Sequence, residues 1–128
     1  MYNFRTDLAL ERRDLYKRAN NIENEVDGIE TEEEKVDEDI RITRVKVLNE
    51  NGEKAIGKKV GNYITIDINN LKIAGQEQIQ KATDTLTKEL KELLKKHIGE
   101  QEPILVVGLG NLYVTPDALG PKVVQDID

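Results

Sequence analysis

Residues 106–121 read VVGLGNLYVTPDALGP, and the predicted architecture of the chain follows from this segment and the residues just before it. The residues just before the glycines, 104–107, are continuously apolar, as expected of a β-strand that is covered on both faces. From Gln76 to His97, apolar residues recur at three- and four-residue steps, which predicts a long amphipathic helix. A helix, a doubly covered strand and a further helix are typical of an α/β sheet, with 104–107 as its central strand.

Two glycines, Gly108 and Gly110, follow the predicted central strand. In open α/β sheets, ligands bind at the carboxyl ends of strands, where loops and helix N-termini converge. A dinucleotide-binding loop has the pattern G-x-G-x-x-G, but Tyr113 occupies the position of the third glycine. Because its ring would obstruct a pyrophosphate, the sequence disfavours a nucleotide site.

Asp117 lies at a predicted helix start, since Thr115 is a common N-cap residue and Pro116 fits the first helical position. The positive end of a helix keeps such a carboxylate ionised. Asp117 is therefore either a stabilising helix-terminus residue or a functional acid. Gly120 and Pro121 interrupt an ordinary helix starting here, which indicates a loop shaped by something other than helix propensity.

Upstream, residues 40–68 predict an antiparallel pair of strands. The apolar positions of the first strand change parity midway, which predicts a bulge at Thr43 or Arg44. The sequence NENG at 49–52 predicts a turn. The second strand is indicated by alternating isoleucines: Ile64, Ile66 and Ile68.

Two segments near the N-terminus have less regular patterns. Residues 23–39 hold ten acidic residues and one lysine, which predicts a solvated linker or mobile loop. Residues up to about 21 allow a short helix that is capped by Thr6 or Asp7.

Composition narrows the class of protein. The 128 residues suffice for one domain, and the net charge of -6 argues against a nucleic-acid partner. The absence of cysteine excludes disulfides, thiolate zinc sites and a cysteine nucleophile. The single histidine, His97, fits the end of a helix, where a cation complements the dipole, and we predict no metal and no cofactor. Charges near the N-terminus and the lack of a long apolar run argue against a signal peptide and a membrane helix, so we predict a cytoplasmic protein.

Three stretches resemble the germination protease family of spore-forming bacteria, whose members degrade small acid-soluble spore proteins. The longest is VVGLGNLYVTPDALGPKVV at 106–124, which resembles the family signature. RTDLALE at 5–11 is similar to the family's processing site, and AIGKKVGNYITID at 55–67 is similar to a third family segment. The resemblance therefore covers both ends and the middle of the chain.

The resemblance implies the phosphorylase/hydrolase-like α/β fold of hydrogenase maturation proteases, with residues 1–128 as the N-terminal part of one peptidase domain. It implies an atypical aspartic peptidase in the spore core, with small acid-soluble spore proteins as substrate, and a homo-oligomer that is tetrameric. The zymogen would be processed between Asp7 and Leu8, which makes residues 1–7 a propeptide. The resemblance places the catalytic aspartate and its loop at these positions: Asp117, Gly108, Gly110, Asn111 and Thr115.

The chemistry of peptide hydrolysis adds a requirement. A lone ionised carboxylate is only a weak base, whereas carboxylate catalysis needs a base for water and an acid for the polarised group. Two carboxylates that share a proton supply both. The second family aspartate would lie beyond Asp128, so we expect this chain alone to be inactive. The alternatives are a non-catalytic α/β module that binds a peptide or an anion, and a metal-assisted maturation peptidase of the same fold.

Overall fold

The computed structural model describes residues 6–99 and 101–127. They form two compact units, which meet in the sequence between Glu89 and Leu90. The elements are α1 (Ala9–Asn20), β1 (Ile29–Lys35), β2 (Ile40–Val47), α2 (Glu50–Ile56), β3 (Gly61–Ile68), a 3₁₀ turn (Leu71–Ile73), α3 (Gln76–His97), a second 3₁₀ turn (Thr115–Asp117) and α4 (Leu119–Gln125). The α/β class and the long helix are confirmed.

The first unit contains a three-stranded antiparallel sheet in the order β1-β2-β3. The predicted pair is therefore confirmed as β2 and β3, with β1 added at the other edge. The register runs without interruption along β2, where Thr43 pairs with Glu33 and Thr65 and Arg44 pairs with Glu32 and Ile64. The predicted bulge at Thr43 or Arg44 is wrong.

The change of parity in β2 arises because both faces of the sheet are covered. Val45 and Val47 lie on one face and pack in a core with Ile56 of α2 and Ala9 of α1. Ile40 and Ile42 are buried on the opposite face. Arg44 shares that second face and hydrogen-bonds Glu89 of α3, so α3 lies over it. Successive side chains of a strand point to opposite faces, so a strand that is covered on both faces has apolar residues at odd and even positions alike. The change of pattern therefore requires no β-bulge.

Part of the acidic segment predicted as a linker, 23–39, is instead β1. Its glutamates lie opposite cations of β2 in the antiparallel register: Glu32 faces Arg44, and Glu30 faces Lys46. Cross-strand pairs of opposite charge stabilise a sheet. The linker prediction is wrong for 29–35, because composition counts charges and does not show which cations lie beside them.

The predicted turn at 49–52 is the start of α2. The side chain of Asn49 caps this helix, because its Oδ1 accepts hydrogen bonds from the backbone N–H groups of Asn51 at 2.9 Å and Gly52 at 3.2 Å. Gly57 ends α2 in the left-handed conformation with φ of 66°. Asparagine and glycine serve turns and helix caps alike, so the pattern did not distinguish them.

Residues 104–107, predicted as the central strand, do not form a β-strand, and no pairing for them is found within residues 6–99 and 101–127. Their side chains are exposed, with Leu105 at 86%. A strand takes its backbone hydrogen bonds from neighbouring strands, and the described part of the chain supplies none at this position.

The bounds of α3 agree with the prediction, but its buried face differs from its apolar face. Ala82, Thr85 and Glu89 are buried. The apolar stripe that indicated the helix is exposed along much of its length: Ile79, Leu86, Leu90 and Leu94.

Among the described helices, none is long and apolar enough to cross a membrane.

Candidate active-site loop

The backbone of Asp117 is fixed from two sides. Asp117 ends the 3₁₀ turn Thr115–Asp117, and its N–H donates to the carbonyl of Val114 at 2.8 Å. Its own carbonyl accepts the N–H of Asn111 at 2.9 Å. Because the two bonds hold both peptide groups of Asp117, the position of its Cα is set by the loop before it.

Asn111 shapes that loop through its side chain. Its Oδ1 accepts the N–H of Tyr113 at 3.0 Å, which is a local side-chain turn, and its carbonyl accepts the N–H of Val114 at 3.1 Å. Thr115 was predicted to cap a helix here, but Val114 occupies the cap position and no side-chain cap bond forms. Asn111 therefore organises the turn that Thr115 was expected to begin.

The glycines allow the loop to pack directly on the turn. A Cβ on Gly110 would collide with the carbonyl oxygen of Asp117, and Gly110 has φ of 141°, which L side chains rarely adopt. A Cβ on Gly108 would collide with Gly120 and come within 2.6 Å of Val124 Cγ2. The glycines thus permit close contact between backbones, a purpose that needs no nucleotide.

The carboxylate of Asp117 faces outward from this fixed backbone. Asp117 is exposed, whereas Ala118, the next residue, is only 2% exposed. Within the described part of the chain, no hydrogen bond or ion pair of the Asp117 side chain is found. The site therefore offers an anchored and accessible acid rather than a salt-bridged one.

The second predicted site, Asp7 and Leu8, precedes α1. Both residues are exposed. Leu8, rather than Thr6 or Asp7, occupies the cap position, and no side-chain cap bond forms there. The Leu8 N–H donates to Thr6 Oγ1 at 3.3 Å, and the Leu8 carbonyl accepts the N–H of Arg12 at 3.1 Å. Asp7 lies in the first unit and Asp117 in the second.

Other charged groups form structural pairs. Arg44 contacts three carboxylates: Glu89 at 2.6 Å, Glu34 at 2.7 Å and Glu32 at 3.4 Å. Its hydrogen bonds to Glu89 and then to Glu34 raise the pKa of Arg44 above its ordinary value, although burial opposes them. In residues 6–99 and 101–127, no group of three or more His, Cys, Asp or Glu side chains could hold a metal ion.

Sequence reasoning missed one residue near the predicted processing site, Arg12. Its guanidinium contacts Thr6, next to the predicted cut, and also Ile56 and Gly57 at the end of α2. Because α2 lies 44 residues further along the chain, no local pattern could reveal this contact.

Comparisons with known proteins place the chain in a family. The model of the germination protease family matches residues 7–128. The germination protease of Clostridium perfringens is 48% identical over 124 residues, which are 97% of this chain and 37% of that protein. Those of Caldanaerobacter subterraneus and Oceanobacillus iheyensis are 49% and 39% identical, over 96% and 98% of this chain and 36% and 35% of their own lengths. The chain thus spans little more than a third of these relatives. It belongs to the germination protease family.

Proposed function

We propose that this chain is the N-terminal part of an aspartic-type endopeptidase that degrades small acid-soluble spore proteins during germination and is made as a self-processing zymogen. One observation carries the proposal. Within the family match, Asp117 combines a backbone held by Asn111 and Val114 with an exposed carboxylate. A catalytic acid needs this combination, because its side chain must reach the substrate from a fixed position.

Asp117 acts as one member of a carboxylate pair, whose second member lies beyond Asp128. In the pair, the ionised carboxylate takes a proton from water while the protonated one donates to the peptide group. One of the two carboxyl groups keeps its proton, because two negative charges so close together would repel each other. The described chain alone is inactive in this scheme, and it uses no metal and no cofactor.

The proposed fold is the hydrogenase-maturation-protease-like sheet, with residues 1–128 as part of one domain and 104–107 as a central strand. The exposed apolar side chains at 104–107 support this, because such a run is stable in water only when other elements cover it. Hydrogen exchange of the full-length protein tests the proposal. Slow exchange at 104–107 is expected, and exchange as fast as in an unstructured segment would contradict it.

Substrate recognition follows from charge and sequence. The net charge of -6 favours encounter with basic, DNA-associated spore proteins. Residues 1–7 act as a tethered substrate-like segment, because a linked peptide competes at high effective concentration. Met1 to Arg5 lie outside the described residues. Family resemblance also supports a homotetramer in the spore core. Sedimentation of the full-length protein tests the oligomeric state.

The decisive experiment compares two substitutions in the full-length protein. Asp117→Asn should abolish cleavage of a purified spore protein and leave the melting temperature unchanged. Asp126→Asn is the matched control, because Asp126 is also an exposed aspartate, at the other end of α4, and should keep full activity. Cleavage by Asp117→Asn at the wild-type rate would reject the assignment. Binding without cleavage by the wild type would favour a non-catalytic module, and loss of cleavage with a chelator would favour a metal-assisted peptidase.

A further inference from the structure

We propose that Arg12 is a positioning residue for zymogen processing: it holds the chain around the Asp7–Leu8 bond in a form that resists cutting, so that processing requires local unwinding of the first turn of α1. This inference rests on the proposed function, which supplies the bond that is cut. It concerns the susceptibility of that bond and not the identity of the catalytic group.

Arg12 links the residues before the bond to the core of the first unit. Its Nε donates to the carbonyl of Thr6 at 2.6 Å. Its Nη1 donates to the carbonyls of Ile56 at 3.3 Å and Gly57 at 3.4 Å. Because Ile56 is fully buried, one guanidinium fastens Thr6 to a rigid part of the fold.

The scissile peptide group is itself held in place. The nitrogen of the Asp7–Leu8 bond is that of Leu8, and its N–H donates to Thr6 Oγ1 at 3.3 Å. The Thr6 hydroxyl also donates to the carboxylate of Glu11. The carbonyl of Leu8 accepts the first hydrogen bond of α1, from the N–H of Arg12. Hydrogen bonds therefore hold the chain on each side of the bond.

Ala9, the second residue after the Asp7–Leu8 bond, is part of the hydrophobic core of the first unit. Ala9 is only 4% exposed and packs with Val45, Val47 and Ile56. Proteolysis takes place in exposed and locally unfolded chain segments. For a peptidase cleft to hold residues on both sides of Asp7–Leu8, Ala9 must leave the core and the first turn of α1 must unwind.

The contacts of Arg12 oppose this opening. When a segment opens and closes faster than it is cut, the rate of cutting follows the population of the open form. Loss of the partly exposed Arg12 contacts should raise that population about five- to tenfold, as expected for a net loss of one or two hydrogen bonds.

A general protease tests this independently of the family's own activity. A glutamyl endopeptidase in phosphate buffer cuts after aspartate as well as glutamate, so it can attack Asp7–Leu8. The full-length protein carries Asp117→Asn throughout, which prevents self-processing in the proposed scheme. Mass spectrometry follows the product that begins at Leu8, and cutting after Glu89, which is 3% exposed, reports general opening of the first unit.

Arg12→Ala should cut about five- to tenfold faster at Asp7–Leu8 relative to Glu89, and Arg12→Lys should fall between this variant and the unsubstituted protein. Arg13→Ala is the matched control, because Arg13 lies on the same helix and pairs with Glu25 and Asp14 instead of Thr6. In Arg13→Ala, the rate of cutting at Asp7–Leu8 relative to Glu89 should stay unchanged. The inference would be overturned if this relative rate were equal in the unsubstituted protein and all three variants, or if it rose as much in Arg13→Ala as in Arg12→Ala.

The outcome separates the two proposals. Full-length protein with Asp117 intact is incubated alone in parallel. If the general protease reveals the effect of Arg12 but the intact protein never processes itself, the proposed function fails while the restraint by Arg12 is established. If the intact protein processes itself and Arg12→Ala leaves the relative rate unchanged, the function is supported and the restraint is rejected.

Discussion

Replacing Arg44 by methionine should destabilise the first unit by about 3 kcal/mol, because it removes the guanidinium from a buried carboxylate. Glu89 has a side chain only 4% exposed, and Arg44 reaches it with two hydrogen bonds, at 2.6 and 2.9 Å. Removing one partner of a buried pair costs about 3 to 5 kcal/mol, and the lower end applies because the Arg44 side chain keeps 22% exposure. Methionine retains the apolar stem, so the loss reports the charge rather than the packing.

Replacing Glu89, the other partner of the pair, should destabilise the first unit less than replacing Arg44. In Glu89→Leu, Arg44 keeps Glu34 at 2.7 Å, and we expect a loss of about 1 kcal/mol. The double variant should be more stable than Arg44→Met alone, because leucine at position 89 removes the buried charge that the single variant leaves behind. Glu32 and Glu34 also lose Arg44 in the double variant, but their side chains are 73% and 39% exposed and water solvates them.

Hydrogen exchange of the β2 amides in the full-length protein measures the free energy of opening for this unit. Lys46→Met is the matched control, because Lys46 lies on the same strand and approaches Glu30 only at 4.0 Å, with both side chains exposed. It should change the opening free energy by less than about 0.5 kcal/mol. If Arg44→Met matched this control, or if the double variant were as unstable as Arg44→Met, the electrostatic reasoning would be refuted.

Two further predictions concern the loop and the response to pH. Gly110→Ala should abolish cleavage of a spore protein, because the new Cβ meets the Asp117 carbonyl, while hydrogen exchange of the first unit stays unchanged; normal cleavage would contradict the tight contact. Burial raises the pKa of Glu25, but hydrogen bonds from Arg13 and the N–H of Val26 outweigh it and lower the pKa below its ordinary 4.5. A carboxyl group with a lowered pKa stabilises the fold at any pH above its ordinary, unfolded-state pKa. This stabilisation is lost as the pH falls through the pKa of the folded state. The stability difference between wild type and Glu25→Gln should therefore be constant at neutral pH and shrink below about pH 4.5, and a difference that grows with acid would contradict this sign.

Features that depend on local periodicity were predictable from the sequence. The bounds of α3 follow from its three- and four-residue spacing, and β3 follows from Ile64, Ile66 and Ile68. The helix face was not predictable, because periodicity identifies the apolar stripe but not the element that covers it. In this chain the buried residues of α3 are instead Ala82, Thr85 and Glu89, of which Glu89 contacts Arg44 of the sheet.

Features that depend on distant partners were not predictable. A glutamate-rich segment became β1 because Arg44 and Lys46 of β2 lie opposite it. The contacts of Arg12 join residues 44 and 45 positions apart. The loop around Asp117 is indicated by its resemblance to a family, but its close backbone contacts join residues up to 12 positions apart, such as Gly108 and Gly120, and no local pattern indicates them.

The second unit contains the restraints that a paired-carboxylate site requires of its first member. Two carboxylates share a proton only when they stay within a few ångströms, so at least one must stand on an immobile backbone. Close backbone contacts of Gly108 with Gly120, and of Gly110 with Asp117, supply that rigidity within residues 108–120. In the proposed site, the pair would then need only one further acid, because the backbone of Asp117 is held by contacts within residues 108–120.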